Sequence, residues 1–490
     1  MIVEGAYPFV VGGVSTWVHD LLTSYKDITF SLVHIGVSSE YEEDIKYELP
    51  PNVLEFRKIH LLDNVPWRGP RFKNKAAAWK SFETFVDDIV SDDITSIRDV
   101  LAFFSKENPD SLSPYDIFHG KPFWDLLVKH YEEHMPDFSF IDYFWTVRFM
   151  ALPLFRVIYA DLPDSSIYHA ACTGYAGLLG AIASIRKGRP FIITEHGIYT
   201  NERMIEITQA HWIYKEKRSS IVPTRQLGAL QGMWMKKFDL LSRIAYDQAT
   251  ALYTLYEGNR LLQIQGGAAP EKTNIIANGI DLERFEDLSI AHRNKKEENP
   301  RVCMVGRVAP IKDVKTFIRA AKIVAEQMPE VRFQILGGAD EDEGYFGECE
   351  RLVRILSLQD VFEFTGTVDM KEYYPGISCI VLTSISEAQP FVLLEAMRIG
   401  IPVVASSVGA CAEIVYGVSP EDQSIGPSGA ITNVRSSQET AEAIMDILRN
   451  PEKARAMGEA GRERVGRYYI REKMLSDYHD VYRRYCGGGA

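Results

Sequence analysis

The chain has 490 residues, with 54 Lys and Arg against 67 Asp and Glu, giving a formal net charge of −13. That balance argues against a broad nucleic-acid footprint, which needs cations clustered over one face, but it leaves room for a local basic pocket around a small phosphate. Hydrophobic residues make up 46% and charged residues 25%. This is a globular composition that excludes disorder as the main state, and at roughly 100–200 residues per domain the length suggests two or three domains.

The first residues, MIVEGAYPFVV, lack a basic segment and carry Glu4, so no signal peptide is expected. Ile2 and Val3 open a short strand. EGAYPFVVGGVSTWVHDLL (4–22) then places Gly12-Gly13 before a helix with Val14, Trp17, Val18, Leu21 and Leu22 on one face. Apolar runs at 29–36 and 53–56 continue the pattern of a parallel sheet. Residues 60–150 differ: prolines, acidic stretches and many aromatics predict a mostly helical insertion. Ser165 to Ile185 is free of formal charge and long enough to span a bilayer. Its His169, Thr173 and three glycines (Gly174, Gly177, Gly180) favour strand, glycine turn and buried helix instead. A strand at 190–194 ends in Glu195-His196-Gly197. Residues 201–248 read as helical, and 251–254 and 274–277 as short strands flanking a helix.

Residues 287–300 (DLSIAHRNKKEENP) are polar and read as an interdomain linker. After them, strands are predicted near 301–305, 331–336, 361–365, 379–383 and 402–405. Helices alternate with them near 313–327, 345–357, 391–399, 438–449 and 452–466, and a last helix covers about 471–485. This alternation predicts a doubly wound α/β chain. An N-terminal Rossmann-like domain over 1–286 carries the insertion, and a second Rossmann-like domain covers 301–466. A final segment, 467–490, is expected to return to the N-terminal domain. Such sheets bind ligands at the carboxyl ends of their strands. Six cysteines show no CxxC spacing, so neither zinc nor a redox motif is indicated.

The second half carries the clearer chemistry. Gly306 permits a tight turn after the first strand, and Arg307 and Lys312 follow at the ligand-binding edge. Two cations there suit a diphosphate, because fixed positive charge stabilises the oxygens of a departing phosphate. Further on, Glu387 follows a strand, Pro390 starts a helix and Glu395 lies inside it. The N–H groups of Phe391, Val392 and Leu393 at that helix start form an anion site, and Glu395 is placed to accept from ribose hydroxyls. The plainer alternative makes Arg307 and Lys312 solvated surface residues, Glu395 a helix surface residue and Glu387 a first-turn cap.

Together these elements resemble glycosyltransferase family 4. Glu387-x7-Glu395 resembles its nucleotide-sugar motif, Gly306-Arg307 with Lys312 its diphosphate-binding pair, and NIIANGIDLERF (274–285) its interdomain segment. EGAYPFVVGGVSTWVHDLL and ITEHGIYTNERMIEI (193–207) resemble the PelF family, cytosolic glycosyltransferases of Pel exopolysaccharide biosynthesis. The resemblance implies a GT-B fold of two Rossmann-like domains whose parallel sheets face a cleft. It implies a metal-independent, retaining transfer of a hexose from a UDP-sugar (UDP-glucose or a UDP-N-acetylhexosamine) to a growing polysaccharide. The UDP-sugar is a substrate, and no separate cofactor is implied. The expected setting is cytoplasmic, peripheral at the inner membrane through Pel synthase proteins.

By the same resemblance, Gly12 and Gly13 form the glycine loop near donor phosphate and acceptor. His196 contacts the donor sugar, Arg307 and Lys312 clamp the diphosphate, Glu387 reads sugar hydroxyls and Glu395 holds the ribose. Gly366-Thr367-Val368 stands where backbone meets the base, and closure about 278–300 is expected to exclude water. Gln389-Pro390-Phe391 departs from the family's Gly-Phe-Gly, and Gly409-Ala410-Cys411 from its Gly-Gly. His169 is a weaker second candidate. Trp212, Tyr214 and Trp234 are candidates for an acceptor groove, with Lys236 and Lys237 at a membrane surface; core helix faces with exposed lysines are the simpler reading. Two other readings of the whole remain: a UDP-sugar epimerase on the same fold, and a non-catalytic nucleotide-binding subunit of a polysaccharide synthase.

Overall fold

The computed structural model describes residues 1–40, 44–63, 75–91, 93–105, 108, 111–209, 228–294, 299–339 and 342–486. The chain divides into two compact units. The first holds Met1–Thr254, Arg260–Ile275 and Tyr478–Ala490, and the second Leu255–Asn259 and Ile276–Asp477.

The first unit is built on seven strands: β1 (Ile2–Glu4), β2 (Phe30–Gly36), β3 (Val53–His60), β4 (Tyr168–Ala170), β5 (Phe191–Glu195), β6 (Ala251–Thr254) and β7 (Thr273–Ile275). Their order is β3-β2-β1-β4-β5-β6-β7, and every pairing is parallel. The chain reverses its direction of winding between β1 and β4, which is where doubly wound sheets bind ligands. β4, β5 and β6 are buried along their whole length, as expected of strands covered on both faces. The uncharged run around residue 170 is β4 followed by the buried helix Tyr175–Lys187. Gly180 of that helix lets it lie directly against Phe191 of β5, since a Cβ there would collide with the ring. No described helix is long and apolar enough to cross a membrane.

Among the described residues, five helices stand between β3 and β4: Lys75–Ser91, Ile97–Phe103, Pro114–His119, Lys121–His134 and Phe140–Ile158. The helical insertion thus runs eight residues past the expected end at 150. Its buried Phe82, Phe104 and Phe155 join the same apolar core as β1, β4 and β5.

The second unit has six strands: β8 (Arg301–Val305), β9 (Arg332–Leu336), β10 (Phe362–Gly366), β11 (Cys379–Leu382), β12 (Val403–Ser406) and β13 (Gly429–Thr432). They run in the order β10-β9-β8-β11-β12-β13, again all parallel, with the switch point between β8 and β11. The sequence reading omits β13, a four-residue strand, GAIT, too short to show a period. The polar stretch expected as a linker also differs. Glu286–Asn294 is a helix within the second unit, with Ser289 fully buried and accepting from Arg462 at 3.0 Å. Glu286 pairs with Arg398 at 2.6 Å.

Candidate functional site

In the second unit the predicted residues converge on the tips of β8 and β11. Gly306 takes φ +146, a conformation that favours glycine. A Cβ on it would lie 3.9 Å from Lys312 Cε, so the Lys312 side chain passes over this turn. A short 3₁₀ turn, Pro310–Lys312, carries the lysine, and the residue after it, Asp313, is left-handed with φ 45. Thr383 fixes this loop by donating to the carbonyls of Lys312 and Asp313 at 3.1 and 3.0 Å. Arg307 is exposed at the same edge.

Lys312 Nζ donates to Glu387 Oε1 at 2.6 Å, and the Ser384 hydroxyl donates to the same oxygen at 2.6 Å. Both charged side chains are mostly covered, at 22% and 13% exposure. An ammonium carries three donors, so the ion pair leaves Lys312 chemically able to hold a second anion. The backbone of Glu387 is pinned from the other side. Gly409, at φ +52, abuts the Glu387 and Ala388 carbonyls so closely that a Cβ would overlap them. Ala410 N–H donates to Ala388 O at 2.7 Å. The departure from the family at 409–411 therefore keeps the one glycine the geometry requires.

The helix Phe391–Ile399 starts at Pro390, which serves as its N-cap. Leu393 N–H donates to Pro390 O at 3.1 Å, so the expectation of three unpaired N–H groups is corrected to two, those of Phe391 and Val392, which have no acceptor among the described residues. The preceding Gln389 is buried and accepts from Asn278 N–H at 2.7 Å, a role in holding the loop that glycine could not fill. Glu395 Oε2 accepts from the Tyr374 hydroxyl at 2.6 Å, and burial raises the Glu395 pKa. Tyr374, almost fully buried, is a residue the sequence reading missed. Val368 follows Gly366, which has φ +70, and is half-buried against the core.

In the first unit, Gly12 is the N-cap of the helix Gly13–Ser24, and both glycines are exposed. A Cβ on Gly12 would meet no atom within 4 Å, and its φ of 177 is open to any residue. Neither packing nor backbone strain accounts for a glycine at that position. His196 follows β5 and is buried, with its ring edge-on to Trp17 at 4.8 Å. Burial lowers its pKa to about 4, so at neutral pH the imidazole is uncharged. The Trp17 indole N–H is buried with no acceptor among the described residues.

Glu195, missed as a candidate, anchors the same strand end. Its carboxylate accepts from Thr173 Oγ1 and Tyr199 N–H at 3.0 Å, from the Tyr246 hydroxyl at 2.8 Å and from Gln263 Nε2 at 3.1 Å. Burial raises its pKa, and the four donors oppose that shift. Its own carbonyl accepts from Thr254 at 2.9 Å. Position 196 is thereby locked from both sides of β5. His169, in contrast, is a core histidine: Nδ1 meets the Tyr482 hydroxyl and Nε2 the Thr194 hydroxyl, each at 2.8 Å. Both ring nitrogens are occupied inside the unit.

Trp212 and Tyr214 lie outside the described residues. Trp234 packs with Phe238 at 5.9 Å. Lys237 overturns the expectation of two exposed lysines. It is 3% exposed, its ammonium donates to the Tyr175 hydroxyl, and it lies 4.7 Å from the Trp234 ring centre. Lys236 alone is exposed. Among the described residues, no group of three or more His, Cys, Asp and Glu could hold a metal ion.

Residues 1–271 match the family described as a domain of unknown function, DUF3492, and residues 286–464 match glycosyl transferases group 1. D-inositol 3-phosphate glycosyltransferase of Kribbella flavida is 27% identical over 333 residues, covering 62% of this chain and 74% of the relative. MMP alpha-(1->4)-mannosyltransferase of Mycolicibacterium hassiacum is 22% identical over 411 residues, covering 79% and 90%. Among solved structures, Anabaena HepE in complex with UDP aligns with a TM-score of 0.59 at 16% identity over 99% of both chains. Sucrose-phosphate synthase from Thermosynechococcus elongatus aligns with a TM-score of 0.56 at 18% identity, covering 99% of this chain and 98% of that one.

Proposed function

The chain belongs to the DUF3492 family, is a group 1 glycosyltransferase and has the GT-B fold, and from that premise we propose that it moves a hexose from a UDP-sugar to a growing Pel-type exopolysaccharide. UDP-glucose and UDP-N-acetylhexosamines are the candidate donors. The observation that carries the reading is the cluster at the tips of β8 and β11. There Lys312 and Ser384 share Glu387, ahead of a helix start with two N–H groups that have no acceptor among the described residues, and of the Tyr374–Glu395 pair. A UDP-bound relative of the same fold supports the choice of nucleotide.

In this reading Arg307, Lys312 and the N–H groups of Phe391 and Val392 hold the diphosphate. They stabilise the charge that develops as the C1–oxygen bond breaks, as a divalent ion does in other transferases. Glu395, oriented by Tyr374, accepts from the ribose hydroxyls, and Glu387 from those of the sugar. Backbone at Val368 meets the base. The open space over Gly12, beside exposed Gly13, lets phosphate or acceptor approach the backbone, which a side chain would obstruct. His196, uncharged at neutral pH, hydrogen-bonds the transferred sugar without adding charge. The acceptor oxygen bonds to C1 on the face the phosphate leaves, and its proton passes to the departing phosphate oxygen, so configuration is retained. Inner-membrane Pel synthase proteins are the partners this reading assigns, with the chain on the cytoplasmic side.

A panel of nucleotide sugars tests it, each assayed for binding and for UDP release with and without polysaccharide acceptor. Acceptor-dependent release from a UDP-hexose, unchanged by chelator, is expected. Turnover of UDP-sugar without acceptor would point to an epimerase, and binding without turnover to a regulatory subunit.

A further inference from the structure

The helical insertion and the helix Ala229–Gln248 line a cavity of about 340 Å³, open on one side, that neither sheet site uses. It lies among the helices Lys75–Ser91, Lys121–His134, Phe140–Ile158 and Ala229–Gln248, all in the first unit. Protein interiors are close-packed and contain few voids larger than a water molecule. An apolar cavity of about 150 Å³ already accommodates benzene, so this one has room for a longer apolar group. Its deep end is formed by Phe82, Leu127, Phe155 and Leu240, each 5% exposed or less. Its outer end carries exposed Lys236 and His134 and half-buried His130.

The polar groups of the outer end act on one another. The His130 and His134 rings stack at 4.4 Å, and His130 Nδ1 bonds the Tyr143 hydroxyl at 2.9 Å. Burial, His134 and Lys236 lower the His130 pKa, while Glu133 and Asp87 oppose them. Lys237 contributes its stem to the lining, while its ammonium is engaged by Tyr175. The lining is therefore apolar in depth, with a cation and imidazole donors at the rim. Sites of this size and character bind small molecules through apolar walls and a few placed polar groups.

We infer that this cavity binds an amphipathic anion, its acyl or alkyl chain among Phe82, Leu127 and Phe155 and its carboxylate or phosphate head at Lys236 and His134. The inference is independent of the donor reading, because no residue is shared with the strand-tip site.

The test titrates full-length protein with dodecanoate below its micellar concentration, and separately sediments it with phosphatidylglycerol vesicles. Saturable one-to-one binding of dodecanoate is expected, at least tenfold tighter than that of neutral dodecanol. Lys236→Glu, a surface change, should weaken it about tenfold. Ala151→Phe fills the cavity and should abolish it; if that variant misfolds, Val147→Phe makes the same test. Vesicle co-sedimentation lost in Lys236→Glu identifies a membrane lipid as the source, and dodecanoate binding without co-sedimentation identifies a free acid. Absence of saturable binding in both arms, or binding that Lys236→Glu and the filling variants leave unchanged, overturns the proposal.

Discussion

At the tips of β8 and β11 charge is mostly covered but still reaches the surface, and it is held by short contacts. Lys312, Ser384 and Glu387 form one cluster, and Tyr374 with Glu395 another. At the tips of β4 and β5 charge is buried or suppressed. Glu195 is enclosed by four donors, and His196 and His169 are held uncharged by burial. The first region is arranged to receive a charged ligand, because its ionic groups keep open coordination. The second is arranged to keep one ring, His196, in a fixed place, because Glu195, just before it at the end of β5, is held by partners within the unit. The difference separates binding work from positioning work, and substitutions should reveal it.

The largest effect should come from the cationic side. Arg307→Ala combined with Lys312→Ala should lower transfer by about a thousandfold or more, the scale of losing preorganised donors to a developing charge. The fold should survive, since both side chains lie at the sheet's edge. Near-normal turnover in a UDP-release assay would dissolve the first half of the comparison. Next, His196→Ala should cut turnover by about a hundredfold while UDP affinity changes less than twofold. The reverse pattern would make the buried tip a binding element. Smaller again, Glu395→Gln should weaken UDP binding about tenfold, the range for a hydrogen bond to a charged group. Tyr374→Phe should weaken it less, because it leaves the carboxylate present but unaimed. Calorimetry measures both, and equal affinities to the native chain would remove the ribose role.

The two regions were unequally legible in the sequence. The second unit's cluster is drawn from two contiguous stretches, 306–312 and 383–395, so its motif is visible as spacing. Tyr374, contributed from outside both, escaped, as did the supporting hydroxyls of Thr383 and Ser384. The first unit's network joins residues 173, 195, 199, 246 and 263, which no spacing rule connects. His169 and His196 looked alike as residues at strand ends. What separates them is Tyr482, a partner 313 positions away that occupies His169. The linker reading fails over Glu286–Asn294 because composition reports polarity and not docking: Ser289 is buried and accepts from an arginine 173 residues later. The Lys236-Lys237 pair failed for the same reason, since adjacent residues on a helix face different surroundings.

Lys237 allows the smallest and most specific test of the contrast. Burial lowers its pKa from 10.5 to about 7, while the Tyr175 hydroxyl and the rings of Trp234 and Phe238 favour the charged form. If burial prevails, the unfolded chain binds a proton between pH 7 and pH 10 that the folded chain lacks. Stability then rises with pH through that window, by up to about 1.4 kcal/mol per unit. Lys237→Met removes the titrating group and keeps the stem. Its stability advantage over the native chain should be greatest at or below pH 7 and shrink toward pH 9.5, measured by denaturant unfolding at each pH. Subtracting the two chains cancels every other titrating group. A difference that stays flat across the window would mean that the aromatic rings and Tyr175 hold the ammonium charged. The first unit would then tolerate buried charge by direct contact, as the second unit does at Glu387.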